Sequence, residues 1–280
     1  MRKHGWRITL RPGSGLCNRL RAISGAIRLS KECGIKLVVD WFRCPIRRWS
    51  ALCGMRSRFC DLFDVVTDVQ FREKVRFRGD FIWDAHIYSR RNPNFYSEDD
   101  RSNFPGLVKA NPEVNRWLWT CHEFYPGRDY GWLSPKDGLK MRIDSFAAKF
   151  GEHCIGIHVR RTDNKNAIAC SPISLFTATM DEELASDRRT SFFLSTDDVA
   201  LKDELRKRYG DKLLTCDNVS PRYTLCGEED AVVDLFLLSR TTKIYGSFWS
   251  SFSKVAAQIG NIPLRVLTAA DMNLPTWAEY

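Results

Sequence analysis

The sequence predicts an α/β protein built from two doubly wound, Rossmann-like domains. Strand-like and helix-like segments alternate along the second half of the chain, which is typical of a parallel sheet covered by helices on both faces. The N-terminal region also has the order strand, loop, helix, strand, which is a β-α-β unit. Because 280 residues exceed what one hydrophobic core usually takes, two domains are predicted, residues 1–134 and 135–280.

The N-terminal β-α-β unit follows from its hydrophobic periodicity. Residues 6–10 alternate and are rich in strand formers, whereas apolar residues recur at helical spacing over 19–33. A turn-rich loop, residues 11–18, separates these segments, and Gly34 ends the helix. Lys36–Asp40, with the sequence KLVVD, is a buried strand, so the unit predicts a parallel pair with a right-handed crossover.

The middle of the chain is less regular. Short apolar runs occupy residues 64–69 and 81–83, and a polar loop is predicted near 97–103. Over 134–150 several apolar residues fall on one helical face. This segment is predicted to be a helix that connects the two domains.

Strands and helices alternate regularly from residue 154 onwards. The predicted strands are 154–159, 191–195, 212–215, 243–245 and 262–267, and the predicted helices are 176–184, 200–209, 231–239 and 250–260. Ligands of a doubly wound sheet bind at the carboxyl ends of its strands. Polar residues that directly follow these strands are therefore the candidate site.

The charge of the chain indicates an anionic partner. The formal net charge is +9, which suits a phosphorylated small molecule, a nucleic acid or a membrane surface. The arginines are spread along the chain without a basic stripe, and neither an RNP-type motif nor a helix-turn-helix signature is present. No nucleic-acid partner is therefore expected.

The apolar segments and the cysteines indicate where the protein is found in the cell and whether it carries a zinc site. No segment reaches the roughly 18 apolar residues of a membrane span, and the N-terminus lacks the apolar core of a signal peptide. A cytoplasmic protein is therefore expected. The ten cysteines contain no CxxC pair, which argues against a zinc site. Cys53 and Cys60 could pair in a secretory setting, whereas buried free thiols are expected in a cytosol.

Two polar segments after predicted strands carry charged pairs. In residues 158–163, HVRRTD, Arg160 and Arg161 suit a phosphate because a guanidinium forks onto two oxygens; a surface salt bridge is the alternative. Asp197 and Asp198 end the segment STDD and could bind hydroxyls or a metal. Their alternative is to cap the next helix, for which Asp198 is well placed.

Two further positions complete the candidate set. Asp234 opens the apolar run LFLL at a predicted helix start, where a carboxylate is also a common partner of the helix dipole. Residues 246–253, GSFWSSFS, bring hydroxyls and backbone N–H groups to a helix N-terminus, which is an anion site. The alternative for this segment is a plain serine N-cap.

In their order and spacing the four segments resemble the fucosyltransferase superfamily of core α-1,6-fucosyltransferases, the rhizobial nodulation-factor fucosyltransferase and protein O-fucosyltransferases. The resemblance covers residues 152–260 and the first unit, where residues 15–21, GLCNRLR, look like the family's glycine loop. It implies a GT-B fold, in which two Rossmann-like domains face a cleft. The N-terminal domain then lies on the acceptor side, and the C-terminal domain binds the nucleotide sugar.

The resemblance also implies a role for individual residues. Arg160 corresponds to the essential arginine on the donor β-phosphate, and Asp234 to the carboxylate that reads the donor base. The other predicted donor-binding residues are Gly15, Asn18, Arg19, His158, Arg161, Asp197, Asp198, Ser247, Ser250 and Ser251, of which the last two belong to the serine loop that holds the pyrophosphate.

The general base departs from the family pattern. The α-1,6 branch carries a glutamate a few residues after RRTD, whereas residues 164–170 contain no acid here. Asp163 is the first candidate because it leaves the same strand end as Arg160, and Asp40 is the second because it ends a first-domain strand. Asp84 and Glu73 are further candidates.

The expected reaction is a metal-independent, inverting transfer of a sugar to a glycan hydroxyl on an oligosaccharide or glycoconjugate. Neither a cofactor nor a metal ion is expected beside the nucleotide-sugar donor. An aspartate accepts two hydrogen bonds from guanine and one from uracil, which favours GDP-fucose, and UDP-xylose stays an alternative. A non-catalytic nucleotide-binding or nucleic-acid-binding protein is the alternative from another class.

Overall fold

Two five-stranded parallel sheets organise the chain in the computed structural model. Each sheet lies in its own unit: unit 1 comprises Met1–Lys136 and Tyr223–Glu228, and unit 2 comprises Asp137–Arg222 and Glu229–Tyr280. The structure describes residues 7–43, 55–65, 69–73, 80–83, 98–162, 165–217 and 224–269.

Unit 1 contains seven strands and three helices among its described residues. The strands are β1 (Arg7–Pro12), β2 (Lys36–Asp40), β3 (Phe63–Val65), β4 (Gln70–Arg72), β5 (Asp80–Trp83), β6 (Arg116–Thr120) and β7 (Leu133–Pro135). The helices are α1 (Leu16–Cys33), α2 (Phe59–Leu62) and α3 (Glu98–Ala110). The parallel sheet has the order β4-β2-β1-β6-β5, and β3 pairs with β7 in a separate antiparallel ribbon.

The predicted β-α-β unit at the N-terminus is confirmed. β1 pairs with β2 in parallel, with Arg7 opposite Lys36. Gly34 ends α1 in the left-handed conformation, at φ 63°, which a glycine adopts without the steric cost of a Cβ. The helix buries Leu20 and Ile23, so hydrophobic burial on one face holds it in place.

In the middle of the chain one strand was missed and two predictions were wrong. The strand β6 lies inside the sheet and was not predicted; its sequence RWLWT is short and does not alternate. Residues predicted as a polar loop form the start of α3, which is held by the buried side chains of Phe104 and Val108 although Pro105 lies inside it. Ser134 and Pro135 belong to β7, and the following helix begins at Asp137.

Unit 2 contains five strands and six α-helices among its described residues. The strands are β8 (Cys154–Val159), β9 (Ser191–Thr196), β10 (Leu213–Leu214), β11 (Ile244–Ser247) and β12 (Leu264–Leu267). The helices are α4 (Asp137–Ala147), α5 (Lys165–Cys170), α6 (Ile173–Ser186), α7 (Val199–Tyr209), α8 (Leu225–Leu238), which begins in unit 1, and α9 (Ser251–Gly260).

The order of the second sheet is β10-β9-β8-β11-β12, with every pair parallel. The chain fills the sheet on one side of β8 first and then continues on the other side with β11. The crevice between β8 and β11 is therefore the topological switch point, where doubly wound sheets bind ligands. All five predicted strands of this half and four predicted helices are present, and α5 is an additional helix.

Among the helices of the described residues, none is both long enough and apolar enough to cross a membrane. Cys53, the proposed partner of Cys60 in a secretory setting, lies outside the described residues. Cys154, Cys170 and Cys216 are buried thiols without a disulfide bond.

Two glycines bring α1 and a loop of unit 1 into backbone contact. A Cβ atom at Gly127 would lie 2.3 Å from the backbone nitrogen of Gly25, and one at Gly25 would lie 2.4 Å from the carbonyl oxygen of Tyr125. Neither position has room for a side chain.

We expect Gly127→Ala to destabilise the protein by about 1–3 kcal/mol or more, because the added methyl group overlaps backbone atoms. That loss corresponds to a fall in melting temperature of about 2–4 °C for each kcal/mol in a chain of this size. Gly151→Ala is the matched control, since nothing lies within 4 Å of its Cβ position. Equal melting temperatures of the two variants would contradict the contact.

Candidate functional site

The candidate site lies at the carboxyl ends of β8, β9 and β11 in unit 2. The backbone N–H of Arg160, just after β8, donates to the hydroxyl of Ser247 at the end of β11, at 2.9 Å. The same hydroxyl donates to the carbonyl oxygen of His158 at 3.3 Å. Ser247 is therefore a buried cross-link between two strand ends, and the predicted contact of its side chain with a donor stays a prediction.

Asp197 organises the turn after β8. One carboxylate oxygen accepts from the backbone N–H of Arg161 at 2.8 Å, and the other accepts from the Thr162 hydroxyl at 2.6 Å. The Nε atom of Arg160 lies 3.2 Å from the second oxygen. Burial opposes ionisation of this carboxyl, but the Thr162 hydroxyl, the charge of Arg160 and the Arg161 N–H together lower its pKa. Asp197 is thus an anion that holds the Arg160 side chain and the backbone of Arg161 at the sheet edge.

Asp198 caps a helix. Its side chain accepts from the backbone N–H of Leu201 at 3.2 Å, at the N-terminus of α7. This is the alternative that the sequence offered for the residue. Direct contact of Asp197 and Asp198 with a ligand stays a prediction.

The serine loop leads from β11 into α9. Ser250 is the N-cap of this ten-residue helix and accepts from the backbone N–H of Phe252 at 3.4 Å, and Ser251 is its first residue. Trp249 has a positive φ of 54°, which is an outlier for a bulky residue, and the hydrogen bond from Phe248 N–H to the Ser171 hydroxyl helps to fix the loop. The N-terminus of α9 therefore faces the same sheet edge as the arginines, because β11 and β8 are parallel neighbours.

His158 is part of this framework. His158 is the buried penultimate residue of β8. Its ring stacks on Phe252, the second residue of α9, with centroids 5.0 Å apart. The histidine thus ties the strand to the first turn of the helix. Its contact with the donor stays a prediction.

Asp234 lies in a buried polar cluster and not at a helix start. The prediction was wrong because α8 begins at Leu225, nine residues earlier, and the acidic run at residues 228–230 interrupts the apolar pattern of the helix. The carboxylate accepts from the Ser195 hydroxyl at 2.8 Å. Burial raises the pKa of Asp234 to about 6, although Lys202, Ser195 and the Cys216 thiol lower it.

Lys202 and Cys216 are components of this cluster that sequence reasoning missed. A signal was present, because Lys202, Leu205 and Tyr209 recur at spacings of three and four and so share one helical face. All three are buried in the structure. A lysine on an apolar helical face is a candidate for a buried charge.

The glycine loop of unit 1 is held by its own side chains. Gly15 is the N-cap residue of α1, and Asn18 donates to the Ser14 hydroxyl at 3.0 Å. Arg19 is fully buried, and its guanidinium donates to the carbonyl oxygens of Ser14 and Phe42 at 2.9 and 2.8 Å. The buried guanidinium therefore holds the loop, and its predicted contact with the donor stays a prediction.

Asp40 does not fit the role of general base. Its side chain is fully buried and lies 2.6 Å from the guanidinium of Arg11, so it cannot reach an acceptor hydroxyl in this arrangement. Glu73 lies on the surface in an ion pair with Arg43 at 2.9 Å. The candidates Asp163 and Asp84 lie outside the described residues.

Comparison with known proteins places the fold. No family model matches the chain. NodZ alpha-1,6-fucosyltransferase soaked with GDP-fucose superimposes with a TM-score of 0.62 at 18% sequence identity, over 91% of this chain and 92% of that chain. Fucosyltransferase NodZ from Bradyrhizobium gives a TM-score of 0.63, also at 18% identity and with the same coverage of 91% and 92%.

POFUT1 in complex with GDP-fucose is also similar, with a TM-score of 0.60 at 12% identity over 94% of this chain and 98% of that chain. The two sets of structures match the chain over almost its whole length. The predicted fold class is therefore confirmed: the chain has a fucosyltransferase-like GT-B fold.

Proposed function

We propose that this protein is a glycosyltransferase that moves a sugar from a nucleotide-sugar donor to a glycan hydroxyl, with GDP-fucose as the favoured donor. The observation that carries the proposal is the Asp197-ordered turn after β8, which brings Arg160 and Arg161 to the same sheet edge as the N-terminus of α9. The fold adds support, because NodZ soaked with GDP-fucose and POFUT1 in complex with GDP-fucose share it.

The donor diphosphate would bind at this edge. Two guanidinium groups can fork onto phosphate oxygens, and the first N–H groups of α9 add hydrogen-bond donors and the positive end of the helix dipole. Asp197 already engages Arg160 through Nε and so fixes the orientation of the guanidinium before a ligand arrives. Preorganisation of this kind lowers the cost of binding.

The chemical step would be a single displacement with inversion at the anomeric carbon. The acceptor oxygen forms the new bond while the bond to the diphosphate breaks, and the leaving group gathers negative charge. Arg160 and the α9 N-terminus stabilise that charge in the transition state. Since cationic and dipolar groups of the protein meet the phosphates, the proposal requires no divalent ion.

A base must accept the proton of the acceptor hydroxyl. With Asp40 buried against Arg11, Asp163 is the proposed residue because it lies two residues after the arginine pair, past the same strand end. The leaving phosphate itself is the alternative acceptor of the proton.

Asp234 would select the donor base. An ionised carboxylate accepts hydrogen bonds from both the N1–H and the exocyclic amine of guanine, but only from the N3–H of uracil. This difference favours a GDP-sugar, and a UDP-sugar such as UDP-xylose is the alternative. The acceptor side is assigned to the N-terminal domain by family resemblance alone, and the cytoplasmic location stays a prediction from the sequence.

We expect Arg160→Ala to lower the rate of transfer about a hundredfold or more while the protein stays folded, because a charge contact to the leaving phosphate is lost. Release of GDP from GDP-fucose, measured with a panel of oligosaccharide acceptors, reports the rate. Arg188→Ala is the matched control, since Arg188 is an exposed arginine of the same unit. Near-normal turnover in Arg160→Ala would remove the phosphate role of this residue.

We expect the same transfer rate in excess EDTA as in added manganese, because protein groups stabilise the leaving phosphates. The assay is again release of GDP from the donor with the acceptor panel. Loss of activity with the chelator and its return with manganese would show that a metal ion takes part.

We expect GDP affinity to fall as the pH drops from 7 to 5, because protonation of Asp234, with its pKa near 6, removes an acceptor for the base. Calorimetric titration with GDP and UDP measures the effect. At neutral pH the guanine contact is worth about 1–3 kcal/mol, by analogy with base readout.

Asp234→Asn is the control for this measurement. The terminal phosphate of GDP also titrates near pH 6, and the variant retains that titration while it lacks the carboxyl. An identical pH dependence in both proteins, or a preference of the wild type for UDP, would contradict the assignment of Asp234 to guanine.

A further inference from the structure

We propose that Lys202 is the counter-ion that keeps Asp234 ionised in the interior of unit 2, and that base recognition at neutral pH depends on it. The inference rests on the proposed function for the identity of the ligand. The electrostatic link between the two residues can be tested without any ligand.

Lys202 is a buried cation. It lies in the first turn of α7 with only 4% of its surface exposed, and Leu201 and Leu205 of the same helix are buried too. Its Nζ atom donates to the carbonyl oxygen of Cys216 at 3.1 Å. Burying an ammonium group is costly unless it has polar and charged partners, so a lysine here calls for a specific role.

Cys216 connects Lys202 to Asp234. The carbonyl of Cys216 binds the ammonium group, and its thiol donates to the Asp234 carboxylate. The lysine and the aspartate therefore contact the same residue, and the Ser195 hydroxyl completes the cluster from β9. Burial and the adjacent Asp234 raise the pKa of the Cys216 thiol well above its ordinary value, so the thiol stays protonated and remains a donor.

The surrounding charges leave Lys202 as the compensating group. Asp230, one turn before Asp234 on α8, raises the pKa of the Asp234 carboxyl, as burial does, whereas Lys202 lowers it. Arg142 of α4 also acts on the cluster, but its guanidinium lies 2.6 Å from Asp230 and balances that charge. Removal of Lys202 would therefore leave a buried carboxylate without its main counter-charge, and the carboxyl would take up a proton instead.

The protonation state decides which base edge the site can read. An ionised Asp234 accepts hydrogen bonds from a ring N–H, as guanine and uracil provide. A protonated Asp234 would also donate, and would suit the unprotonated ring nitrogen of adenine or cytosine. Lys202 thus acts as a positioning residue that sets specificity through Asp234, without any need to touch the ligand.

A purely structural role for Lys202 predicts something different. If the lysine only anchors α7 to Cys216, its replacement lowers stability at every pH but leaves the titration of Asp234 unchanged. The decisive readout is therefore the titration of the Asp234 carboxyl in ligand-free protein, followed by carbon NMR with aspartate labelled at the carboxyl carbon. Asp234→Asn assigns the signal.

Lys202→Gln removes the charge but keeps a group that can donate to Cys216, and Lys202→Met removes both while it fills a similar volume. We expect each variant to raise the midpoint of the Asp234 titration by about one to three pH units. Lys207→Gln, an equal charge change at an exposed position of the same helix, is expected to leave the midpoint in place. An unchanged midpoint in Lys202→Gln or Lys202→Met overturns the proposal.

The wild-type protein provides a test that does not depend on the folding of a variant. Asp234 is expected to be ionised at pH 7.5, and a protonated carboxyl at that pH overturns the proposal by itself. In a second arm, GDP binding is measured by calorimetric titration as a function of pH. In Lys202→Gln, the pH at which GDP affinity has fallen to half is expected to rise by the same amount as the midpoint of the Asp234 titration. Binding should recover at higher pH.

The two arms separate the inference from the proposed function. If GDP does not bind the wild type at any pH, the proposed donor is wrong, and the NMR titration still decides whether Lys202 is the counter-ion. If GDP binds and the Asp234 midpoint moves, but affinity does not follow it, then base recognition does not depend on Lys202 and that half of the proposal fails.

Discussion

The parallel pairing of β8 with β9 and β11 is the constraint on which the candidate site depends. Parallel neighbours end at the same edge of a sheet, so residues 158–162, 195–198 and 247–251 meet although they are far apart in sequence. The hydrogen bonds from Arg160 to Ser247 and from Arg161 to Asp197 form because the strand ends are already adjacent. The chemistry of the edge is therefore a product of topology first and of side chains second.

Three aspartates at strand ends or beside them have different roles because different partners offset the burial of each carboxylate. Asp40 is fully buried against Arg11 and belongs to the framework of unit 1. Asp197 is held ionised by a hydroxyl, an arginine and a backbone N–H, so it can orient cations. The partners of Asp234 offset its burial only in part, so its pKa is raised to about 6. A pKa near the physiological range is typical of groups whose protonation matters for function.

Sequence reasoning was most successful where one physical rule dominates. Continuous apolar runs identified β2 and β8 with their observed bounds, because strands inside a parallel sheet are buried on both faces. Helical periodicity located the helices on either side of β9. β6 was missed because its sequence RWLWT offers only three consecutive apolar residues between an arginine and a threonine. Sequence reasoning also could not foresee that Arg19 would be fully buried, since the carbonyl oxygens of Ser14 and Phe42 that accept from it converge only in the folded chain.

The backbone contact between Gly25 and Gly127 has a consequence for how this sequence can change over evolutionary time. At Gly156 a new methyl group would meet the side chains of Thr241, Leu238 and Ile244, and a second substitution that shortens one of them could restore the space. At Gly127 the obstructing atoms are backbone atoms of residues 24 and 25, which no substitution removes. A substitution at Gly156 can therefore be tolerated after a second substitution at a neighbouring side chain. Gly127 must stay a glycine for as long as α1 and this loop keep their contact.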